Sequence, residues 1–228
     1  MIFADPPYFL SDIGISCHSD KKVSLNKGQW DKALNFEERL DFNRRWISVC
    51  KKILKDNGSI WIRGTFHNIY TIDVALELED YSIINNIIWQ KPNPSSNLAF
   101  RCFTNSTETI LWAQKQLTEK TKGVHQFNYE LMKEINGRKQ MKDVWFIPLV
   151  TKEEKKYGKY STQKPLALLD RIILASTKDG DLILDPFNGS ETTGISSVRL
   201  KRKYIGIEMN KEYVDISIKR YEEINKRS

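Results

Sequence analysis

Asp5-Pro6-Pro7-Tyr8 follows directly on the apolar run Ile2-Phe3-Ala4. A carboxylate beside two prolines makes a rigid polar corner, because proline fixes φ and carries no N–H, so the carbonyls of the turn are aimed. The chemistry open to such a corner is activation of an amine. The exocyclic amine of a nucleobase is a poor nucleophile because its lone pair is delocalised into the ring. A carboxylate and a backbone carbonyl that accept its two N–H bonds would draw the nitrogen towards tetrahedral geometry and free that pair for attack. Tyr8 offers a ring on which a base taken out of its helix could stack. A merely structural proline corner has the same composition; its place at the end of an apolar strand favours the chemical role.

A second stretch, Leu182-Ile183-Leu184-Asp185-Pro186-Phe187-Asn188-Gly189-Ser190-Glu191-Thr192-Thr193-Gly194, runs an apolar strand into a tight turn of small residues that opens a helix. Nucleotide-type ligands lie at this place in open α/β sheets. Further on, Tyr204-Ile205-Gly206-Ile207-Glu208 ends the next strand with a carboxylate placed to accept hydrogen bonds from ribose hydroxyls. An ordinary strand-turn-helix shares this pattern, since glycine-bearing turns are common.

The elements that must hold these two stretches together can be read from periodicity. Asn35 and Glu38 form a capping box, and Phe36, Leu40, Ile47, Cys50 and Leu54 recur at helical spacing, which predicts a helix over 36–55. Asp56-Asn57-Gly58 is a turn, followed by a strand over 59–63, a helix over 66–79 and strands over 82–90 and 107–113. After residue 160 the alternation resumes: helix 165–177, turn Lys178-Asp179-Gly180, strand 181–185, helix 192–200, strand 203–207 and helix 210–226. Such alternation predicts a mostly parallel sheet covered on both faces. Residues 11–34 read as a long polar loop, of the kind that serves as a functional flap.

The 228 residues, 40% hydrophobic, are enough for one domain with its own core. Their apolar content, with only 11 Gly and 7 Pro, excludes a disordered or collagen-like chain. No stretch reaches the roughly 18 uninterrupted apolar residues of a membrane span, and no charged leader precedes an apolar segment at the start. A soluble, cytoplasmic protein without a membrane partner is expected. Cys17, Cys50 and Cys102 are spaced too widely for a disulfide framework or a zinc site, so no metal is expected. The formal net charge is +7, and residues 114–159 hold 11 Lys/Arg against 6 Asp/Glu, which places +5 of that excess in one basic, aromatic stretch. A polyanionic partner is expected there, with Tyr129, Trp145, Phe146 and Tyr157 as contact candidates; Trp145 and Phe146 read equally well as core. His18, His67 and His125 are isolated, and Lys211 to Arg227 reads as the solvated face of a helix.

Taken in order, Asp5-Pro6-Pro7-Tyr8, Ser161-Thr162-Gln163-Lys164-Pro165 and Asp185-Pro186-Phe187-x-Gly189-Ser190-x-Thr192-Thr193 resemble the catalytic and cofactor motifs of the β-class DNA adenine-N6 methyltransferases of the HinfI and DpnA type. The likeness extends over Gly28-Gln29-Trp30-Asp31, Trp89-Gln90-Lys91-Pro92, Ser106 to Trp112 and Lys139 to Trp145. The resemblance implies a Rossmann-like class I methyltransferase sheet, mostly parallel, circularly permuted and lacking one edge strand. It divides the chain into a catalytic half (1–113), an inserted target-recognition region (114–160) and a cofactor half (161–228). It implies S-adenosyl-L-methionine as cofactor, with Asp185, Phe187, Gly189, Ser190 and Thr192 around it, Glu208 on its ribose, and Thr162 and Lys164 near its methionine end. Asp5 and the carbonyl of Pro6 would bind the adenine amine, Pro7 would stiffen the turn, Tyr8 would stack on the flipped base, and Trp89 and Lys91 would lie on the target-base side. Methyl transfer would be direct, at a GATC or GANTC-like site. Aspartate rather than serine in the first position favours adenine, and no Pro-Cys dipeptide of the cytosine-ring enzymes occurs. The implied partners are DNA, double-stranded or single-stranded, and a cognate restriction endonuclease without a stable complex; a homodimer stays open.

Three departures bear on activity. The family carries a further segment ahead of the catalytic motif, with an edge strand and an acidic residue near the cofactor. Glu191 stands where the family has glycine, so weaker cofactor binding is expected unless its side chain points to solvent. Tyr160-Ser161 replaces a frequent His-Pro. On these grounds the alternative is a degenerate, catalytically impaired DNA-binding homologue.

Overall fold

Ile2-Phe3-Ala4 forms a strand (β1, Ile2–Ala4) that is buried on both faces, and the rest of the sheet is laid down on either side of it. In the computed structural model the described residues are 1–9, 15–18, 21–24, 33–97, 100–116, 125–151, 154 and 163–225. After β1 come β2 (Ile15–His18) and β3 (Lys21–Ser24), an antiparallel pair within the stretch expected to be loop. Two four-residue strands are too short to show a convincing period of two.

The helix α1 (Phe36–Ile53) starts where the capping box places it: the Glu38 N–H donates to the Asn35 side chain at 2.9 Å, and the Asn35 N–H to the Glu38 carboxylate at 2.9 Å. Strand β4 (Ser59–Gly64), helix α2 (Ile69–Leu78), strand β5 (Tyr81–Gln90) and strand β6 (Thr107–Lys115) follow. Then come α3 (Tyr129–Ile135), β7 (Val144–Phe146), α4 (Leu166–Ser176), β8 (Leu182–Asp185), α5 (Thr192–Arg199), β9 (Lys203–Gly206) and α6 (Lys211–Asn225).

Seven strands make one sheet in the order β7-β5-β6-β4-β1-β8-β9, with β6 antiparallel to both neighbours and the other pairings parallel. Strand alternation sends Ile2, Ala4, Ile60 and Ile62 to a core with α1 and α2 (Ile47, Ile72, Leu76), and Phe3 and Trp61 to a second core with Trp112, Leu168 and Ile172. Trp61 and Trp112 face each other in register across β4 and β6 and stack with centroids 4.7 Å apart.

Part of the stretch read as an insertion joins this fold's sheet and core. β7 pairs with β5, and Met132, Trp145 and Ile147 are buried in the second core. One edge of the sheet is therefore β7; the other is β9, beside which no further strand lies among the described residues. No described helix is long and apolar enough to cross a membrane, and no described cluster of His, Cys, Asp and Glu could hold a metal ion.

Candidate active site

Because β1 and β8 are parallel neighbours, the two chemistry-bearing turns leave the sheet at the same edge. Between them lies a cleft of about 490 Å³ lined by Asp5, Pro6, Pro7 and Tyr8 from the first turn and by Asp185, Phe187, Gly189, Ser190, Thr192 and Glu208 from the second, with Lys164 between the sets. That volume falls in the range of about 300–1,000 Å³ usual for small-molecule and cofactor sites.

The Asp5 carboxylate is held from several directions. Its Oδ1 accepts from the Tyr8 hydroxyl at 2.6 Å and from Arg63 Nη1 at 2.7 Å, and its Oδ2 lies 2.5 Å from Lys164 Nζ. Arg63 sits at the end of β4, with its guanidinium 5.1 Å from the centre of the Tyr8 ring. Its Nε and Nη2 both donate to Glu108 Oε2 on β6, and Glu108 Oε1 accepts from Lys91 Nζ at 3.0 Å. Burial would raise the Glu108 carboxyl, but Arg63, Lys91 and Lys164 outweigh it and hold the group below the usual range. Burial, with Arg63 adding to it, brings the Lys164 ammonium down to about 8, against the pull of Asp5 and Glu108. The corner itself is braced from α2: Asn68 Nδ2 donates to the Pro7 carbonyl at 3.2 Å, while Asn68 Oδ1 accepts from the Thr65 N–H at 3.0 Å. Gly64 makes room for this brace, since a Cβ there would stand 2.7 Å from Asn68 Oδ1.

On the other side, Asp185 ties its own turn. Its Oδ1 accepts from the Phe187 N–H at 2.9 Å and its Oδ2 from the Thr193 hydroxyl at 2.6 Å. Burial pushes this carboxyl up to about 7 despite those bonds. Gly189 adopts φ +54°, a left-handed conformation that glycine takes without strain. Its N–H donates to Glu208 Oε2 at 2.9 Å, and Glu208 Oε1 accepts from the Asn210 N–H at 2.8 Å. Phe187 packs edge-on against Trp46 at 5.3 Å and near Phe42, which carries the cleft wall onto α1.

Glu191 takes neither of the two expected courses, into the cleft or out to solvent. It adopts φ +65° as the N-cap of α5, its Oε2 is buried without a hydrogen-bond partner, and it is not among the residues lining the cleft. Burial pushes its carboxyl up to about 7, opposed by Arg220, so much of its charge is absent near neutral pH.

The structure therefore gathers Asp5, Pro6, Pro7, Tyr8, Lys164, Asp185, Phe187, Gly189, Ser190, Thr192 and Glu208 around one cleft. Lys164 reaches the carboxylate of Asp5 on the first turn. Thr162 lies outside the described residues. Trp89 is 1% exposed, with its indole N–H donated to the Ile147 carbonyl at 2.8 Å, so it stands behind the cleft wall; Lys91 is turned to Glu108. The sequence reading missed Arg63, Glu108 and Asn68. An arginine directly after the apolar strand pattern Ile60-Trp61-Ile62 was the available signal for the first.

The family model described as DNA methylase matches residues 1–219 of the chain. The Type II methyltransferase M2.DpnII of Streptococcus pneumoniae is 58% identical over 225 residues, 99% of this chain and 83% of that protein. The Type II methyltransferase M2.MboI of Moraxella bovis is 53% identical over 224 residues, covering 98% and 81%. Among solved structures, the complex of M1.HpyAVI with SAM superposes with a TM-score of 0.67 at 29% identity, covering 96% of this chain and 87% of that one. The cytosine-N4-specific PvuII DNA methyltransferase gives 0.74 at 20% identity, covering 96% and 78%, a likeness of fold.

Proposed function

The chain belongs to the DNA methylase family, and on that premise we propose that it methylates the N6 amine of adenine in DNA, with S-adenosyl-L-methionine as donor, as the modification enzyme of a restriction system. The observation that carries this is the shared cleft: the Asp5 corner after β1 and the Asp185–Thr193 turn after β8 open into the same space from neighbouring strands. Its lining suits the cofactor, with the Glu208 carboxylate for ribose hydroxyls, Phe187 and Pro186 as apolar walls and a glycine turn that lets the ligand approach the backbone. When bound, S-adenosylmethionine would supply a methyl group on a sulfonium centre, whose carbon–sulfur bond breaks to leave a neutral thioether as the carbon–nitrogen bond forms.

Asp5 and the Pro6 carbonyl accept the two N–H bonds of the target amine and hold its lone pair towards that methyl group. Once nitrogen has gained its fourth bond, Asp5 is the nearest base for the proton it sheds. Tyr8 keeps its hydroxyl on Asp5 and presents its ring to the cleft, where the extruded base stacks. Aspartate in the first motif position favours adenine, and a GATC or GANTC-like site in duplex or single-stranded DNA, in the cytoplasm, completes the reading. A homodimer and a cognate endonuclease that forms no stable complex with it are compatible with the same reading. Glu191 stands away from the cleft lining, which supports this reading over that of a degenerate homologue.

The test is expression of the chain in a host without DNA methylation, followed by sequencing of modified bases, alongside Asp5→Ala. N6-methyladenine at one short site, lost in the variant, is expected. Methyl groups on cytosine, or transfer retained by Asp5→Ala, would overturn the assignment.

A further inference from the structure

Asp5 ends a line of buried charges that crosses the sheet. The line runs from Asp5 after β1 to Arg63 at the end of β4, to Glu108 at the start of β6 and to Lys91 just after β5, four successive strands in the order of the sheet. All four side chains are largely withdrawn from water, Arg63 most of all at 4% exposure. Trp89 lies against the line, its ring 5.9 Å from the Arg63 guanidinium and 6.0 Å from Lys91 Nζ.

Buried ion pairs are a poor source of stability, because desolvation cancels most of their attraction and apolar replacements of the same volume are often at least as stable. What such a line does supply is direction. Arg63 offers a planar fork, of which one arm holds Asp5 and the rest is fixed on Glu108. Since Tyr8 and Arg63 both donate to Oδ1, that oxygen has no lone pair left over. Oδ2, shared with Lys164 among the described residues, is the oxygen with capacity for another donor.

We propose that Arg63, anchored by Glu108 and Lys91, is the positioning residue of the reaction: it locks Asp5 through Oδ1 so that Oδ2 meets the target amine. This rests on the methyl-transfer reading above. Arg63 and Glu108 are not among the residues lining the cleft; they act through Asp5. Misplacing a reacting group by about 1 Å can cost on the order of 10²-fold in rate, and the loss belongs to the chemical step rather than to binding.

The test measures single-turnover transfer of tritiated methyl groups to adenine-containing duplex DNA by the full chain, together with cofactor and DNA affinities. Glu108→Gln keeps the shape of the anchor and removes its charge; Arg63→Ala removes the fork. Both should slow transfer, by about 10-fold and 10²-fold, with both affinities within twofold of the wild type. Added guanidinium chloride at millimolar concentration should return part of the rate to Arg63→Ala, while sodium chloride at equal ionic strength should not. Guanidinium weakens folded proteins, so such rescue cannot come from a firmer fold. Where Arg63→Ala does not fold, Glu108→Gln decides alone. A Glu108→Gln rate within twofold of an active wild type, with Asp5→Ala inactive, overturns the positioning role and leaves the methyl-transfer reading standing. A loss confined to the affinities also overturns it. An inactive wild type removes both.

Discussion

Replacing Glu191 by glycine should make this protein more stable, and the gain should grow with pH. Glu191 stands at φ +65° with one carboxylate oxygen buried and unpartnered. Holding a residue other than glycine in the left-handed region costs about 1–2 kcal/mol, and a buried unsatisfied polar atom about 1–3 kcal/mol. Glycine's greater freedom in the unfolded chain takes back about 0.5–1 kcal/mol, and the lost attraction to Arg220 trims the remainder. The net is about 2 kcal/mol, or about 4–8 °C in Tm for a domain of this size. The pH dependence follows from the raised carboxyl: the unfolded chain ionises from its ordinary value of 4.5, whereas the folded side chain holds its proton until about 7. Wild-type stability is therefore lost as pH rises through that window, and the deficit is complete above it. Because the group is partly exposed, screening limits this part to about 1 kcal/mol. Thermal unfolding of the wild type, Glu191→Gly and Glu191→Gln at pH 5 and pH 8 separates the contributions. Glu191→Gln keeps the strained backbone and should gain only the pH-dependent part. A lower Tm for Glu191→Gly at both pH values, or a gain of the same size at both, would refute the reasoning.

Tyr8→Phe deletes the hydroxyl that holds Asp5 Oδ1 and keeps the ring, so it should reduce methyl transfer less than Tyr8→Ala; equal losses in a filter-binding methylation assay would deny the ring its stacking role. Thr193→Val removes the 2.6 Å bond to Asp185 and should cost about 1 kcal/mol together with weaker S-adenosylmethionine binding, both readable by calorimetry. Ile62→Ala, at a fully buried position of β4, should cost about 2–5 kcal/mol in urea unfolding; a cost under 1 kcal/mol would mean that the first core is packed differently. Gly64→Ala should disturb the Asn68 brace on Pro7 and slow methyl transfer at unchanged cofactor affinity, and a wild-type rate would show that Asn68 does not steady the corner.

Features that depend on near neighbours in the chain were legible in the sequence. The Asn35–Glu38 capping box, the Asp5 corner and the Asp185–Thr192 turn each declare themselves within a few residues, because proline, glycine and capping side chains act locally. Arg63 and Glu108 escaped notice because their role arises from the lateral order of β1, β4 and β6, which local spacing does not encode. The resemblance puts Trp89 on the target-base side, yet it shares a face with Ile87 two residues earlier, and both are buried in the second core. β7 was hidden for a different reason: three residues in a basic stretch give no usable period, and only the pairing with β5 makes them a strand.

The central place of β1 sets the order in which this molecule can fold. β1 finds its first partner early, through Ile2 opposite Ile60, and the core under α1 and α2 draws mostly on the same early part of the chain. Its other partner, β8, pairs through Leu184 and is synthesised far later. During synthesis one flank of β1 therefore waits as an unpaired strand edge, a surface prone to association with other chains. The cleft cannot form before β8 docks on β1, and its Glu208 wall follows only with β9. A chain cut short before β8 would keep the β1–β4 pairing and lack the second wall of the cleft.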